Sequence, residues 1–222
     1  MGAASRLALG TVQFGLEYGV ANQAGQVSLE EAERILESAH AAGIDTLDTA
    51  PGYGDSESRL GEIGVHGWRI ISKIPEIPDG IDDVAGWVEA SVTESLSRLG
   101  VDHLAGLLLH RPRQLNGPYG DDLRRALDQV RVLGLAQKVG VSVYGPSDLD
   151  GVWSDQLDLV QAPFNVFDRS LASSRWLERF AGDGVEVHTR SAFLQGLLLM
   201  KERPRYFDRW SDLFVRWDEW LA

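Results

Sequence analysis

The feature that most constrains this chain is a regular alternation of short apolar runs with longer amphipathic segments. A run that is apolar at nearly every position is covered on both faces, which is the mark of a strand in a parallel sheet rather than of a half-solvated hairpin. Such runs occupy residues 7–10, 46–48, 69–73, 104–110, 138–142, 157–161 and 185–189, which predicts seven strands. Parallel neighbours need crossover connections, and the intervening segments read as helices over residues 28–42, 56–64, 81–99, 120–133, 147–153 and 170–181. The first of these is signalled at both ends: Ser28 with Glu31 three residues on forms a capping box, and Gly43 terminates. A last segment, residues 206–222, spaces Trp210, Leu213, Phe214, Trp217 and Leu221 by three or four and predicts an amphipathic helix. The 222 residues contain no linker or low-complexity tract, so residues 1–222 are expected to form one α/β domain. Periodicity fits an open doubly wound sheet and a closed barrel equally.

The polar residues lie where apolar strands end. TLDTA supplies Asp48, IISK supplies Lys73, LLLH supplies His110, GVS supplies Ser142 and LVQ supplies Gln161. Parallel strands of one sheet or barrel bring their carboxyl ends to a common face, where ligand sites form, so these endings predict a shared pocket. Asp48, Lys73 and the nearby Tyr53 make chemical sense as a unit. A phenol with an ordinary pKa of about 10 is a poor acid near neutrality. An adjacent ammonium favours the phenolate, and a carboxylate paired with the lysine holds that charge in place. Tyr53 then becomes a tuned proton donor, and His110 offers a hydrogen bond to a carbonyl oxygen.

The run LDTAPGYGDSESRLG, followed by ISK, LLLHRP and VGVSVY, resembles the signature of the aldo/keto reductases, and the similarity extends from LALGTVQFG to RSAFLQGLLL. The resemblance implies a (β/α)8 barrel of the TIM type that uses NADPH, with NADH as an alternative, to reduce a small aldehyde or ketone to an alcohol. It implies Tyr53 as general acid, Lys73 and Asp48 as its tuning pair and His110 as the carbonyl-orienting residue. Ser142 and Gln161 match positions that hold the nicotinamide carboxamide, although Val143 stands where many relatives carry an asparagine. Ser191 falls where the loop after strand seven meets the pyrophosphate, and Leu194 and Gln195 share that loop. Gly52 and Gly54 are expected to keep the loop around Tyr53 tight, and Asn165 and Arg169 match a recurrent segment. About seven β/α units are present. The eighth strand and the loop that binds the adenosine 2′-phosphate have no counterpart before Ala222, so the chain is expected to be a fragment of a reductase, with unpaired edges at strands one and seven.

Other chemistries are less well served. A formal charge of −12 opposes binding to nucleic acid or to an anionic membrane surface. The chain has no cysteine, which removes disulfides, thiol nucleophiles and thiolate metal sites and agrees with a cytoplasmic setting. No apolar stretch reaches membrane-spanning length. His40, His66, His103 and His188 lack ligand spacing, so no metal is expected. The acid pairs Glu30 and Glu31, Asp82 and Asp83, and Asp121 and Asp122 sit at helix starts, where they complement the dipole. Singly, Asp48 reads as a turn residue, Tyr53 as a loop aromatic, Lys73 as a solvated strand end and His110 as a turn residue; their joint spacing reverses those readings. The alternatives to an active reductase are a regulatory barrel that binds nicotinamide without useful turnover and an inactive fragment of a reductase.

Overall fold

The computed structural model describes residues 6–152 and 157–222. Seven strands form one sheet: β1 (Ala8–Gly10), β2 (Thr46–Asp48), β3 (Arg69–Ile74), β4 (Gly106–Leu109), β5 (Val139–Ser142), β6 (Leu159–Pro163) and β7 (Glu186–Arg190). Every ladder is parallel and the spatial order is the chain order, β1 to β7. Sequential order without reversal is that of a barrel, not of a doubly wound sheet, which changes direction at a switch point. Among the described residues no ladder joins β7 to β1, so the barrel is open along that side.

The helices are α1 (Val12–Gly15), α2 (Leu29–Ala41), α3 (Ser56–Ile63), α4 (Val84–Leu99), α5 (Gly120–Val132), α6 (Ser170–Ser173), α7 (Trp176–Asp183) and α8 (Ser211–Leu221). α2 begins as its sequence signals, with the Ser28 hydroxyl accepting from the Glu31 amide at 3.2 Å. The capping box is only half made, because the Glu31 carboxylate pairs with Arg34 at 2.6 Å. At the other end Gly43 takes a positive φ of 83°, and the Ile44 amide returns to the Ala39 carbonyl. The expected helix over 170–181 is two, α6 and α7. Ser174 is extended, and its hydroxyl accepts from the Trp176 amide, a local bond that competes with helix continuation. The expected helix near 147–153 is a 3₁₀ turn, Pro146–Leu149, and Trp153 lies outside the described residues. Residues 205–210 likewise form a 3₁₀ turn before α8. α1 was not foreseen, because four residues are too few to show a period.

Apolar side chains divide into two layers by strand alternation. One set, including Leu47, Ile70, Leu107, Val139 and Val160, packs outward under the helices in the main core. The other, Ile71, Ala105, Leu108 and Leu159, forms a separate cluster on the inner side of the sheet. Two residues further along β3 and β6, and two beyond Leu108 just past the end of β4, come Lys73, Gln161 and His110. The same step takes Thr46 to Asp48 and Gly140 to Ser142. Period-two geometry therefore lifts these polar side chains onto the rim directly above the inner cluster, at the carboxyl ends of the strands.

Candidate active site

The rim encloses a cavity of about 810 Å³ lined by Asp48, Tyr53, His110, Ser142, Gln161 and Arg190, with the loops after β1 and β7 as its walls. Lys73 does not reach the cavity surface. It lies behind it, 2% exposed, and its ammonium donates to Asp48 Oδ1 at 2.9 Å and to the Thr49 carbonyl at 2.9 Å. A buried ammonium is costly unless its donors are met, and two of its three are met here. Asp48 is held from a second side by Gln161, whose amide donates to Oδ2 at 2.6 Å, while the Ser142 hydroxyl donates to Gln161 Oε1 at 3.2 Å. Side chains from β2, β3, β5 and β6 thus form one hydrogen-bonded chain across the floor of the cavity. Behind it the Thr11 hydroxyl donates to the Asp48 carbonyl, and Ser56 donates to Thr11; Thr11 and Ser56 are both buried, and neither stands out in the sequence.

Tyr53 sits on the turn between β2 and α3, above the lysine. The Lys73 ammonium is 4.8 Å from its ring centroid, and the ring meets that of His110 edge-on, with centroids 6.3 Å apart. The turn is fixed by contact with the end of α1. A Cβ on Gly15 would come within 1.8 Å of the Tyr53 carbonyl, and one on Gly54, whose φ is +59°, within 2.2 Å of the Gly15 carbonyl. Gly54 is therefore required, as expected. Gly52 is not, since a Cβ there meets nothing within 4 Å and its φ is not positive.

Electrostatics correct one expectation. Lys73 does pull the Tyr53 phenol down, but burial pushes it up by more, and Asp48 adds to the rise, so the net displacement is above the ordinary value of 10.0. The phenol is therefore neutral over the whole physiological range. His110 is displaced downward to about 4, first by burial and then by the positive charges of Lys73 and Arg111. Near neutrality it is an uncharged imidazole, able to donate one hydrogen bond and accept another.

The predicted nicotinamide-side residues, Ser142 and Gln161, are both buried and both line the cavity. Val143 belongs to the main core, completely buried, so its side chain leaves the cavity free. Ser191 and Gln195 line the opposite wall, and Gln195 donates to the Tyr18 hydroxyl at 2.9 Å. Leu194 does not line the cavity. Its side chain packs on the small cluster of Leu197, Leu198 and Phe214 that docks α8. Ser191, Leu194 and Gln195 all take positive φ values, of 60°, 47° and 57°, which is unusual for non-glycine residues and clusters at functional loops. Asn165 helps hold this backbone by donating to the Ser191 carbonyl at 3.2 Å, while its own carbonyl accepts from the Phe167 and Asp168 amides. Arg169 precedes α6 on the surface. Arg190 was missed: β7 runs one residue further than its apolar pattern indicates, so the polar strand end is Arg190, not Thr189.

The donors present suit a nicotinamide dinucleotide. A serine hydroxyl and a primary amide at the cavity floor match a carboxamide, which needs both donors and acceptors. Among the described residues no cluster of histidine and carboxylate side chains could hold a metal ion, and no helix is long and apolar enough to cross a membrane.

Comparison with known proteins identifies the family of the chain. The chain is 28% identical to a D-threo-aldose 1-dehydrogenase of Pseudomonas sp., over 91% of this chain and 71% of that protein. It is 32% identical to an aldo-keto reductase of Mycobacterium sp. (strain JLS), over 78% of this chain and 63% of that protein. An aldo-keto reductase structure from Bacillus halodurans superposes with a TM-score of 0.71 at 20% identity, covering 90% of this chain and 66% of the other, a likeness of fold alone. The profile of the Aldo/keto reductase family matches residues 6–213, so this chain belongs to the aldo/keto reductase family of oxidoreductases.

Proposed function

We propose that the protein reduces an aldehyde or ketone to an alcohol with a reduced nicotinamide dinucleotide, NADPH in the first instance, and that Tyr53 is the proton donor. The observation that carries this reading is the stacking of three groups: Tyr53 at the cavity surface, the Lys73 ammonium beneath its ring, and Asp48 and Thr49 fixing that ammonium from behind.

Ser142 and Gln161 would hold the nicotinamide carboxamide, and Ser191 with Gln195 would face the phosphates. When bound, the dinucleotide would supply the hydride. Neutral His110 donates a hydrogen bond to the substrate carbonyl oxygen, which orients the carbonyl and draws electron density off its carbon. As negative charge grows on that oxygen, the Tyr53 O–H transfers its proton there. The phenolate left behind is the form that Lys73 stabilises, so the lysine acts when the proton departs rather than in the resting protein. Asp48 is a positioning residue, since it holds the Lys73 ammonium and the Gln161 amide in place.

Tyr53→Phe removes the donor and keeps the ring. It is expected to lower kcat on a panel of aldehydes by roughly 10²–10⁴-fold, the usual worth of a positioned acid, while NADPH titrated by fluorescence binds as before. A variant as fast as the parent would show that another group supplies the proton. NADH is run in parallel, so that the same titration reads which dinucleotide the protein prefers. Tight dinucleotide binding without turnover of any carbonyl would favour the non-catalytic alternative.

A further inference from the structure

Behind the floor of the cavity lies a set of buried hydroxyls that the proposed chemistry does not use. Thr11 follows β1, Thr49 follows β2 and Ser56 opens α3, and all three are completely buried. Thr11 Oγ1 donates to the Asp48 carbonyl at 2.9 Å. Ser56 Oγ donates to Thr11, whose carbonyl and Oγ1 are both 3.0 Å away, and the Ser56 and Thr49 hydroxyl oxygens are 3.2 Å apart. A hydroxyl has one proton to give. With the Ser56 proton on Thr11, the bond between Thr49 and Ser56 is donated by Thr49. The order is therefore fixed, from Thr49 to Ser56 to Thr11 to the carbonyl of Asp48, the residue joined to Thr49. The bonds close a ring around the Asp48–Thr49 peptide, and hydrogen bonds in series polarise and strengthen one another.

That peptide presents both acceptors of Lys73. The Asp48 carboxylate and the Thr49 carbonyl each accept from the ammonium at 2.9 Å, and between them they set where it stands. The Tyr53 ring lies above, its centroid 4.8 Å from Nζ. The Tyr53 turn is tied to the same ring of bonds, because the Ser56 amide donates to the Tyr53 carbonyl at 3.1 Å. Burial raises the Tyr53 phenol, and the Lys73 ammonium is the strongest pull against that rise, so the place of the ammonium bears on loss of the proton. The strand ends are paired without the hydroxyls: the Thr11 amide donates to the Asp48 carbonyl and the Thr49 amide to the Ile71 carbonyl, each at 2.9 Å. Apolar side chains of the same shape would fill the space with no polar group to satisfy.

We propose that Thr11, Thr49 and Ser56 are positioning residues that hold the Lys73 ammonium beneath Tyr53 by fixing the Asp48–Thr49 peptide. For its effect on turnover the proposal rests on the reductase reading above; for the placement of the lysine it does not.

The test uses the three lysines of the chain, Lys73, Lys138 and Lys201. Protein labelled with nitrogen-15 lysine gives few side-chain ammonium signals by NMR, and Lys73→Met identifies one of them. Hydrogen exchange at the Lys73 ammonium is compared in the parent, Thr11→Val, Thr49→Val and Thr11→Ser. Each valine variant should exchange about tenfold faster, the equivalent of one net hydrogen bond, and Thr11→Ser, which keeps the hydroxyl, should match the parent. With NADPH and an aldehyde, the valine variants should lose roughly 10- to 100-fold in kcat, the cost of a misplacement of about 1 Å, with KM little changed. Ser28→Ala removes a hydroxyl that caps α2 and is the control for a loss of stability alone; it should match the parent in both measurements. Thr49→Val removes only the first donor of the ring, so it decides the matter if Thr11→Val does not fold. Equal exchange in the parent and the valine variants overturns the proposal. So does faster exchange that Ser28→Ala reproduces, or faster exchange with kcat unchanged. If the parent reduces no carbonyl, faster exchange in the valine variants keeps the positioning role and sinks the reductase reading, whereas unchanged exchange sinks the positioning role itself.

Discussion

Burying an ammonium commits its neighbours. Lys73 is among the largest fully buried side chains, and Asp48, Thr49 and the shape of the Tyr53 turn follow from satisfying it. His110 carries the complementary cost. Its imidazole has a pKa of about 4 in the fold against 6.5 ordinarily, so the unfolded chain takes up its proton first as pH falls. The stability it permits is complete above about pH 6.5, is eroded as pH falls towards 4, and changes no further once both states are protonated. His110→Gln is therefore expected to flatten the decline of the urea midpoint between pH 6.5 and 4, followed by circular dichroism. A variant whose midpoint falls as steeply as the parent's would show that other groups carry that dependence. Of the residues on the rim, Asp48, Lys73, His110, Ser142 and Gln161 were legible because each ends an apolar run. Arg190 and Thr11 were not. The first sits one residue beyond its run, and the second has its role from a contact with a strand 37 positions away.

At the scale of elements, the shell that carries the rim is pinned by a buried ion pair as well as by apolar packing. The Glu57 carboxylate, on α3, is 2% exposed; it accepts from Ser72 on β3 at 2.7 Å and from Arg98 on α4 at 2.9 Å. Three elements meet there, and Ser72 immediately precedes Lys73. Glu57→Ala leaves the serine hydroxyl and the arginine without their acceptor and is expected to cost about 2–4 kcal/mol in urea unfolding. A loss under half a kcal/mol would mean that water replaces the carboxylate easily. Ser28→Ala, which removes the hydroxyl that caps α2, should cost about 1 kcal/mol. Its smaller effect follows from the exposed position of that helix end. The cap was readable because it is local in sequence; the Glu57 junction joins residues 15 and 41 positions apart and leaves no local trace.

For the whole molecule, the open side of the barrel sets the gradient of stability. The inner strands β3, β4 and β5 are almost wholly buried, whereas β1 has exposed ends and every residue of β7 retains some exposure. Strands paired on one side only have free backbone groups and open more readily. Hydrogen exchange read by mass spectrometry should accordingly be slowest in β3 to β5 and fastest in β1 and β7. Equal protection across the sheet would show that the open side is covered in solution, by another copy or by further chain. The sequence by itself determined the number of strands and five of their polar ends, because both are written in local periodicity and in the fixed alternation of side chains along a strand. The tertiary structure alone decided which of those ends share a floor, that burial holds Tyr53 above its ordinary pKa despite the lysine, and that Arg190 stands in the cavity with no carboxylate partner among the described residues. Those outcomes depend on distances between residues far apart in the chain and on how much water the fold excludes around them.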